Sequence, residues 1–139
     1  MKITIFSDGS SRGNPGPGGW SAIICFGNDS EMKVFEIGGF EKSTTNNRME
    51  LTGAINAFEE LRNRKISGEI ILYSDSSYVI KGISSWINGW KANDWRTKDK
   101  KDVLNKDLWQ RLSEATEGFD VSYKVISGHV GIPGNERCD

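Results

Sequence analysis

Four acidic residues and one histidine stand out by type and setting. Asp8 closes the apolar run "KITIFSD" and Asp75 closes "EIILYSD". Glu50 follows "TTNNRM" at the head of a helical pattern, and Asp139 lies ten residues beyond His129, the only histidine. Each has an ordinary explanation by itself. Aspartate is common at strand ends and turns. Glu50, three residues after Asn47, fits a capping box. Asp139 can be a solvated acid and His129 a surface-loop residue. If all four acids share one edge of the fold, their mutual repulsion costs stability, and a hard cation removes that objection. Mg²⁺ prefers oxygen ligands and is often held by a few carboxylates together with substrate phosphates. Two such ions about 4 Å apart can clamp the attacking and leaving oxygens of a phosphodiester. A histidine beside them suits proton transfer near neutral pH.

The intervening sequence must bring these groups together. "KITIFSD", "WSAIICF" and "MKVFEIGGF" read as three strands joined by short turns, an antiparallel meander. Leu51, Ala54, Ile55, Phe58 and Leu61 then follow helical spacing. "SGEIILYSD" is a fourth strand whose apolar run suits a buried central position. Ile80, Ile83 and Ile87 place a helix in "SSYVIKGISSWINGW", and Leu104, Leu108, Leu112 and Ala115 place another in "DVLNKDLWQRLSEAT". "FDVSYKVISG" alternates Phe119, Val121, Tyr123 and Val125 as a fifth strand. With strand one running up, strand two runs down, strand three up and the first helix down, so strand four runs up beside strand one. The carboxyl ends of strands one and four and the amino end of that helix then share one edge. Ligands of open α/β sheets bind at this edge. If strand five also runs up, His129 and Asp139 arrive there too.

The bulk properties are compatible with this picture. A chain of 139 residues, 36% hydrophobic and 27% charged, suits one domain spanning residues 1–139. No apolar run approaches the ~20 residues of a membrane span, and "MKITIFSDGS" lacks the apolar core of a signal peptide. Cys25 and Cys138 lie outside any metal-type spacing, so reduced thiols in a cytoplasmic setting are expected. A net charge of −1 argues against a protein that grips nucleic acid through overall basicity, though not against a local basic patch.

Three further stretches offer such local contacts. "GNPGPGG" is no P-loop, because no Gly-Lys-Ser/Thr follows, but a turn exposing Gly9, Ser10 and Asn14 can approach a sugar–phosphate strand closely. "TTNNRME" puts hydroxyl, amide and guanidinium groups ahead of a helix N-terminus, a setting that favours phosphate. In "WINGWKANDWRTKDKK" aromatic and basic residues alternate; over 91–106 six basic residues outweigh three acidic ones. Aromatics beside cations suit nucleic-acid backbones and bases. Some of Trp86, Trp90 and Trp109 are expected in the core.

Together, "FSDGSSRGNPGPGGW", "TTNNRMEL", "YSDSSYVIKGISSWINGW", "DLWQRL" and "GHVGIPGNERCD" resemble type 1 ribonuclease H of the bacterial kind, nearly end to end and in register. The resemblance implies a ribonuclease H-like α/β fold: a five-stranded mixed sheet flanked by helices. It implies a monomeric endonuclease, with no membrane or obligate protein partner, that cuts the RNA strand of an RNA–DNA hybrid. Two Mg²⁺ ions, or Mn²⁺ in their place, act with substrate bound and leave 5′-phosphate and 3′-hydroxyl ends. Asp8, Glu50, Asp75 and Asp139 fall on the family's metal ligands and His129 on its catalytic histidine. Gly9, Ser10, Asn14, Asn46, Asn47 and Arg48 fall on hybrid contacts, Thr45 and Asn105 on a DNA-phosphate pocket, and Trp86 on a DNA-strand channel. Specificity would rest on the 2′-hydroxyl of the cut strand, and cutting would be largely independent of base sequence. There are departures. Ser77 stands where many members carry glutamine, "KANDWR" is less basic than is common, and the helix that usually follows the last aspartate is expected to be missing. Two rivals follow from these departures and from the wider superfamily: a hybrid-binding module inactivated by loss of that helix, and a nuclease acting on DNA.

Overall fold

The computed structural model describes residues 1–28 and 30–126. Strands β1 (Lys2–Ser11), β2 (Gly16–Asn28) and β3 (Glu31–Thr44) lead into helix α1 (Asn46–Asn63) and strand β4 (Glu69–Ser74). Helix α2 (Ser77–Lys81) continues through one π-helical turn (Gly82–Trp86) into α3 (Ile87–Ala92); α4 (Lys106–Thr116) and β5 (Asp120–Val125) follow. The five strands lie in the order β3-β2-β1-β4-β5. β2 is antiparallel to β1 and β3, while β1, β4 and β5 run parallel. For β1 to β4 this is the direction of travel expected from the sequence, and β5 meets the condition left open there by running parallel to β4.

The alternation of β1 sends Ile3 and Ile5 to the face that α1 covers, where Leu51, Ala54, Ile55, Phe58 and Leu61 meet them together with Ile24, Ile70 and Leu72. All of these side chains are buried. The sequence pattern therefore picks the inward face of α1 correctly. The apolar face of the α2–α3 segment, Ile80, Ile83 and Ile87, closes the same core with Val79 and Trp109. Gly82 at the π-turn is required there: a Cβ would overlap the Trp109 ring. π-turns tend to mark places where packing outranks ideal helix geometry.

Three expectations need correction. Leu104 is 75% exposed rather than part of the inner stripe of α4. The helix starts only at Lys106, after Asn105 takes a left-handed conformation (φ 60°), and Trp109 fills the inner position instead. Val125 is exposed, so the alternation of β5 stops at Tyr123. Glu50 is the fifth residue of α1 rather than part of its first turn, and the cap is Thr45, whose hydroxyl accepts from the Arg48 N–H at 3.2 Å. Cys25 is buried, and Cys138 lies outside the described residues. Among the described residues, no helix is long and apolar enough to cross a membrane.

Candidate active site

Parallel pairing sets β1 and β4 in register with Ser7 opposite Ser74, so the next residues, Asp8 and Asp75, emerge side by side at the carboxyl edge. Glu50 joins them because α1 lies almost directly on β1. Gly9 makes that approach possible: a Cβ there would run into the Met49 carbonyl group and the Glu50 nitrogen. One carboxylate oxygen from each of Asp8, Glu50 and Asp75 lies within 4.8 Å of the others. The Gly9 N–H donates to Asp8 Oδ1 at 2.9 Å, fixing that carboxylate against the backbone.

The electrostatics of this cluster are adverse without a counter-ion. Glu50 is 5% exposed, and its Oε2 has no hydrogen-bond partner among the described residues. Burial first, then the charges of Asp75 and Asp8, push its pKa up to about 8, against a smaller opposing effect of the Gly9 N–H. A buried acceptor without a donor beside two more carboxylates is costly in a fold. It suits a hard divalent cation, which needs several oxygens close together and returns the electrostatic cost. The residues present therefore fit a divalent metal. His129 and Asp139, the other two members of the expected site, lie outside the described residues.

A second constellation sits at the start of α1. A cleft of about 420 Å³ is lined by Asn14, Thr45, Asn46, Asn47, Leu104 and Asn105. It thus gathers two separate sequence stretches that were expected to bind phosphate. The Asn46 N–H donates to Asn14 Oδ1 at 2.8 Å, tying the glycine-rich loop to the helix start. Arg48 reaches across to α4: its guanidinium forms two bonds to the Asp107 carboxylate, at 3.0 and 2.7 Å, and one to Asn105 Oδ1 at 3.3 Å. The Asp107 hydrogen bond raises the Arg48 pKa, and the Arg48 hydrogen bond lowers that of Asp107. A smaller cleft of about 290 Å³ beside Asp8 is lined by Gly9, Ser10, Trp20 and Ser21, among others.

The remaining predicted residues are less closely engaged. Ser77 is the exposed first residue of α2, and its neighbour Ser76 supplies the cap. Trp86 is 38% exposed, with its ring 5.8 Å from Tyr78, whereas Trp109 is fully buried. Lys91 is exposed in the last turn of α3, and Lys98, Lys100 and Lys101 are exposed on the stretch between α3 and α4, which Trp95 anchors by packing on Trp90. Sequence reasoning missed Asp107, Trp20 and Tyr78. Only Asp107 carried a signal, an acid two residues after Asn105 in "NKD".

The sheet order, the crossing helix and the acids at the carboxyl edge define a ribonuclease H-like protein. The crystal structure of LC9-RNase H1, described as a type 1 RNase H with the type 2 active-site motif, has the same fold: TM-score 0.84 at 27% identity, covering 99% of this chain and 68% of that one. LC11-RNase H1, solved in complex with RNA/DNA hybrid, shares the fold at TM-score 0.67 and 21% identity, over 90% of this chain and 85% of that one. Ribonuclease HI of Caulobacter vibrioides is 53% identical over 138 residues, 99% of this chain and 88% of its own length. Ribonuclease H of Cupriavidus metallidurans is 49% identical over 139 residues, 100% and 91% of the two lengths. With the RNase H family matched along residues 1–139, the chain belongs to the ribonuclease H family, and its relatives place it among the type 1 enzymes.

Proposed function

We propose that this chain is an endoribonuclease that hydrolyses the RNA strand of RNA–DNA hybrids, with Asp8, Glu50 and Asp75 holding divalent cations at the scissile phosphate. The observation that carries the reading is the convergence of three carboxylates, from β1, α1 and β4, on one point of the carboxyl edge. Bound there, Mg²⁺ or Mn²⁺ would neutralise the acids and stabilise charge on the entering and leaving oxygens. Two ions with substrate present, and 5′-phosphate and 3′-hydroxyl products, are the finer form of the proposal.

The chain's own groups divide the remaining work. Gly9 keeps α1 against β1 so that the acids meet, and its N–H orients Asp8. Glu50, protonated in the metal-free fold near neutral pH, gives up its proton when a cation enters. Asn14, Thr45, Asn46, Asn47 and Asn105 offer hydroxyl and amide groups to a DNA-strand phosphate, and Trp86 an exposed ring to the same strand. Gly9 and Ser10 face the cleft beside Asp8, where a ribose could approach. In this reading His129 moves a proton and Asp139 completes the metal ligands. None of these contacts reads a base edge, so cutting should depend little on sequence.

The test is cleavage of labelled RNA–DNA hybrid, double-stranded RNA and double-stranded DNA, each with Mg²⁺ and with EDTA. RNA in the hybrid alone should be cut, only with metal, and Asp75→Asn should abolish it. Binding of the hybrid without cleavage by the native chain would make it a binding module; cutting of DNA would replace the hybrid as substrate.

A further inference from the structure

We propose that Tyr78 is a positioning residue for DNA-strand binding: its hydroxyl holds the Asn105 carboxamide in the orientation that receives a backbone phosphate. This rests on the reading of Thr45 and Asn105 as a phosphate cleft.

The geometry around Asn105 is unusual for its place in the fold. It stands at the N-cap of α4, where an asparagine side chain ordinarily accepts from the first turn of the helix. Here it makes no capping bond, and its backbone is left-handed. The carboxamide is held by other groups instead. Oδ1 accepts from Arg48 Nη1 at 3.3 Å, and Nδ2 donates to the Tyr78 hydroxyl oxygen at 3.1 Å. The Tyr78 bond uses one of the two Nδ2 hydrogens. The other belongs to an amide whose plane is already fixed at the wall of the cleft.

Tyr78 is itself anchored. Its hydroxyl oxygen also accepts from Trp109 Nε1 at 3.1 Å, and Trp109 is fully buried. Both acceptor positions of the phenol oxygen are therefore used by donors of the protein. The ring lies tilted against Trp109, with centroids 5.3 Å apart, and meets Trp86 edge-on at 5.8 Å. One side chain, three residues after Asp75, thus connects the core, the cleft and the exposed Trp86. A phenylalanine would fill the same space and keep the ring contacts. It would leave the Trp109 N–H without its acceptor and let the Asn105 amide turn toward water.

A purely structural tyrosine and a positioning one differ in what Tyr78→Phe changes. Steady-state cleavage of the hybrid is compared for the native chain, Tyr78→Phe, Asn105→Ala and the double variant, well below the unfolding temperature of each. Tyr78→Phe should raise KM about three- to tenfold, the size of one hydrogen bond, with kcat within about twofold. The double variant should be no worse than Asn105→Ala, as expected for two groups acting through one contact. When DNA-strand phosphates are replaced one at a time by neutral methylphosphonates, one position should raise the native KM and raise that of Tyr78→Phe much less. Ile83→Val, a buried change in the same apolar cluster, controls for lost stability: it should lower the melting temperature and leave KM alone. Multiplying effects of the two single variants, a fall in kcat with KM intact, or a KM shift in Ile83→Val would overturn the proposal. If Asn105→Ala keeps the native KM and no methylphosphonate position matters, the phosphate-cleft reading fails, and the role of Tyr78 with it.

Discussion

The acidic cluster and the start of α1 meet a charged substrate in opposite ways. At the carboxyl edge, Asp8, Glu50 and Asp75 crowd like charges together and leave a buried Glu50 oxygen without a donor among the described residues. At the start of α1, by contrast, Arg48, Asp107, Asn105, Tyr78 and Trp109 form a chain of hydrogen bonds between complementary groups. The first region gains when something positive enters. The second is complete beforehand and gains by being in place. Catalysis that depends on charge needs the first kind of site; binding that depends on shape and register needs the second.

The contrast is broken most severely at the acids. Asp75→Asn or Asp8→Asn should lower kcat on the hybrid by about a thousandfold or more, the ~4 kcal/mol of barrier expected when transition-state charge loses its stabilisation. The melting temperature of the metal-free protein should meanwhile hold or rise, because one repelling charge is gone. Next comes Gly9→Ala, whose new methyl meets backbone of α1 rather than a flexible side chain. Activity should fall by about a hundredfold through displaced acids, and stability by about 1–3 kcal/mol through overpacking, read by steady-state kinetics and denaturant unfolding.

Glu50 provides a pH test of the same region. Its folded pKa of about 8 lies above the ordinary 4.5, so without metal the folded state binds a proton that the unfolded state has lost. Its contribution to stability is thus fully present below about pH 4.5 and is lost as the pH rises through about 8. Glu50→Gln should flatten that fall and be the more stable protein at pH 8 in EDTA. Added Mg²⁺ should stabilise the native chain and do little for the variant. Denaturant midpoints across this range, with and without Mg²⁺, decide the matter.

The smallest effect belongs to the pre-satisfied region. Arg48 and Asp107 are partly exposed, and such pairs contribute about 0–1 kcal/mol. Asp107→Asn should therefore barely change stability. It releases a guanidinium toward phosphate, so binding to hybrid and to duplex DNA should both tighten severalfold at low salt, with a steeper salt dependence. Fluorescence anisotropy over a salt series would show this, and unchanged slopes would argue that Asp107 does not restrain Arg48.

The sequence revealed the first region better than the second, for a physical reason. Asp8 and Asp75 end apolar strands, and the chain direction of each element follows from short connections, so their meeting could be worked out before any coordinates. Tyr78 could not be found this way. Its partners are Asn105 and Trp109, on an element 27 and 31 residues away, and side-chain hydrogen bonds at that separation leave no periodic trace. Leu104 was misplaced because helical spacing extends through it, while the left-handed Asn105 ends the pattern one turn early.

The most direct test of the acidic cluster is calorimetric titration of Mn²⁺ and Mg²⁺ into the metal-free protein at pH 7, in two buffers of different ionisation enthalpy. Saturable binding that releases close to one proton per first ion, and that vanishes in Asp75→Asn, is the expected result. Cation binding that leaves the buffer protons untouched, or that survives in Asp75→Asn, would contradict a site built on Asp8, Glu50 and Asp75.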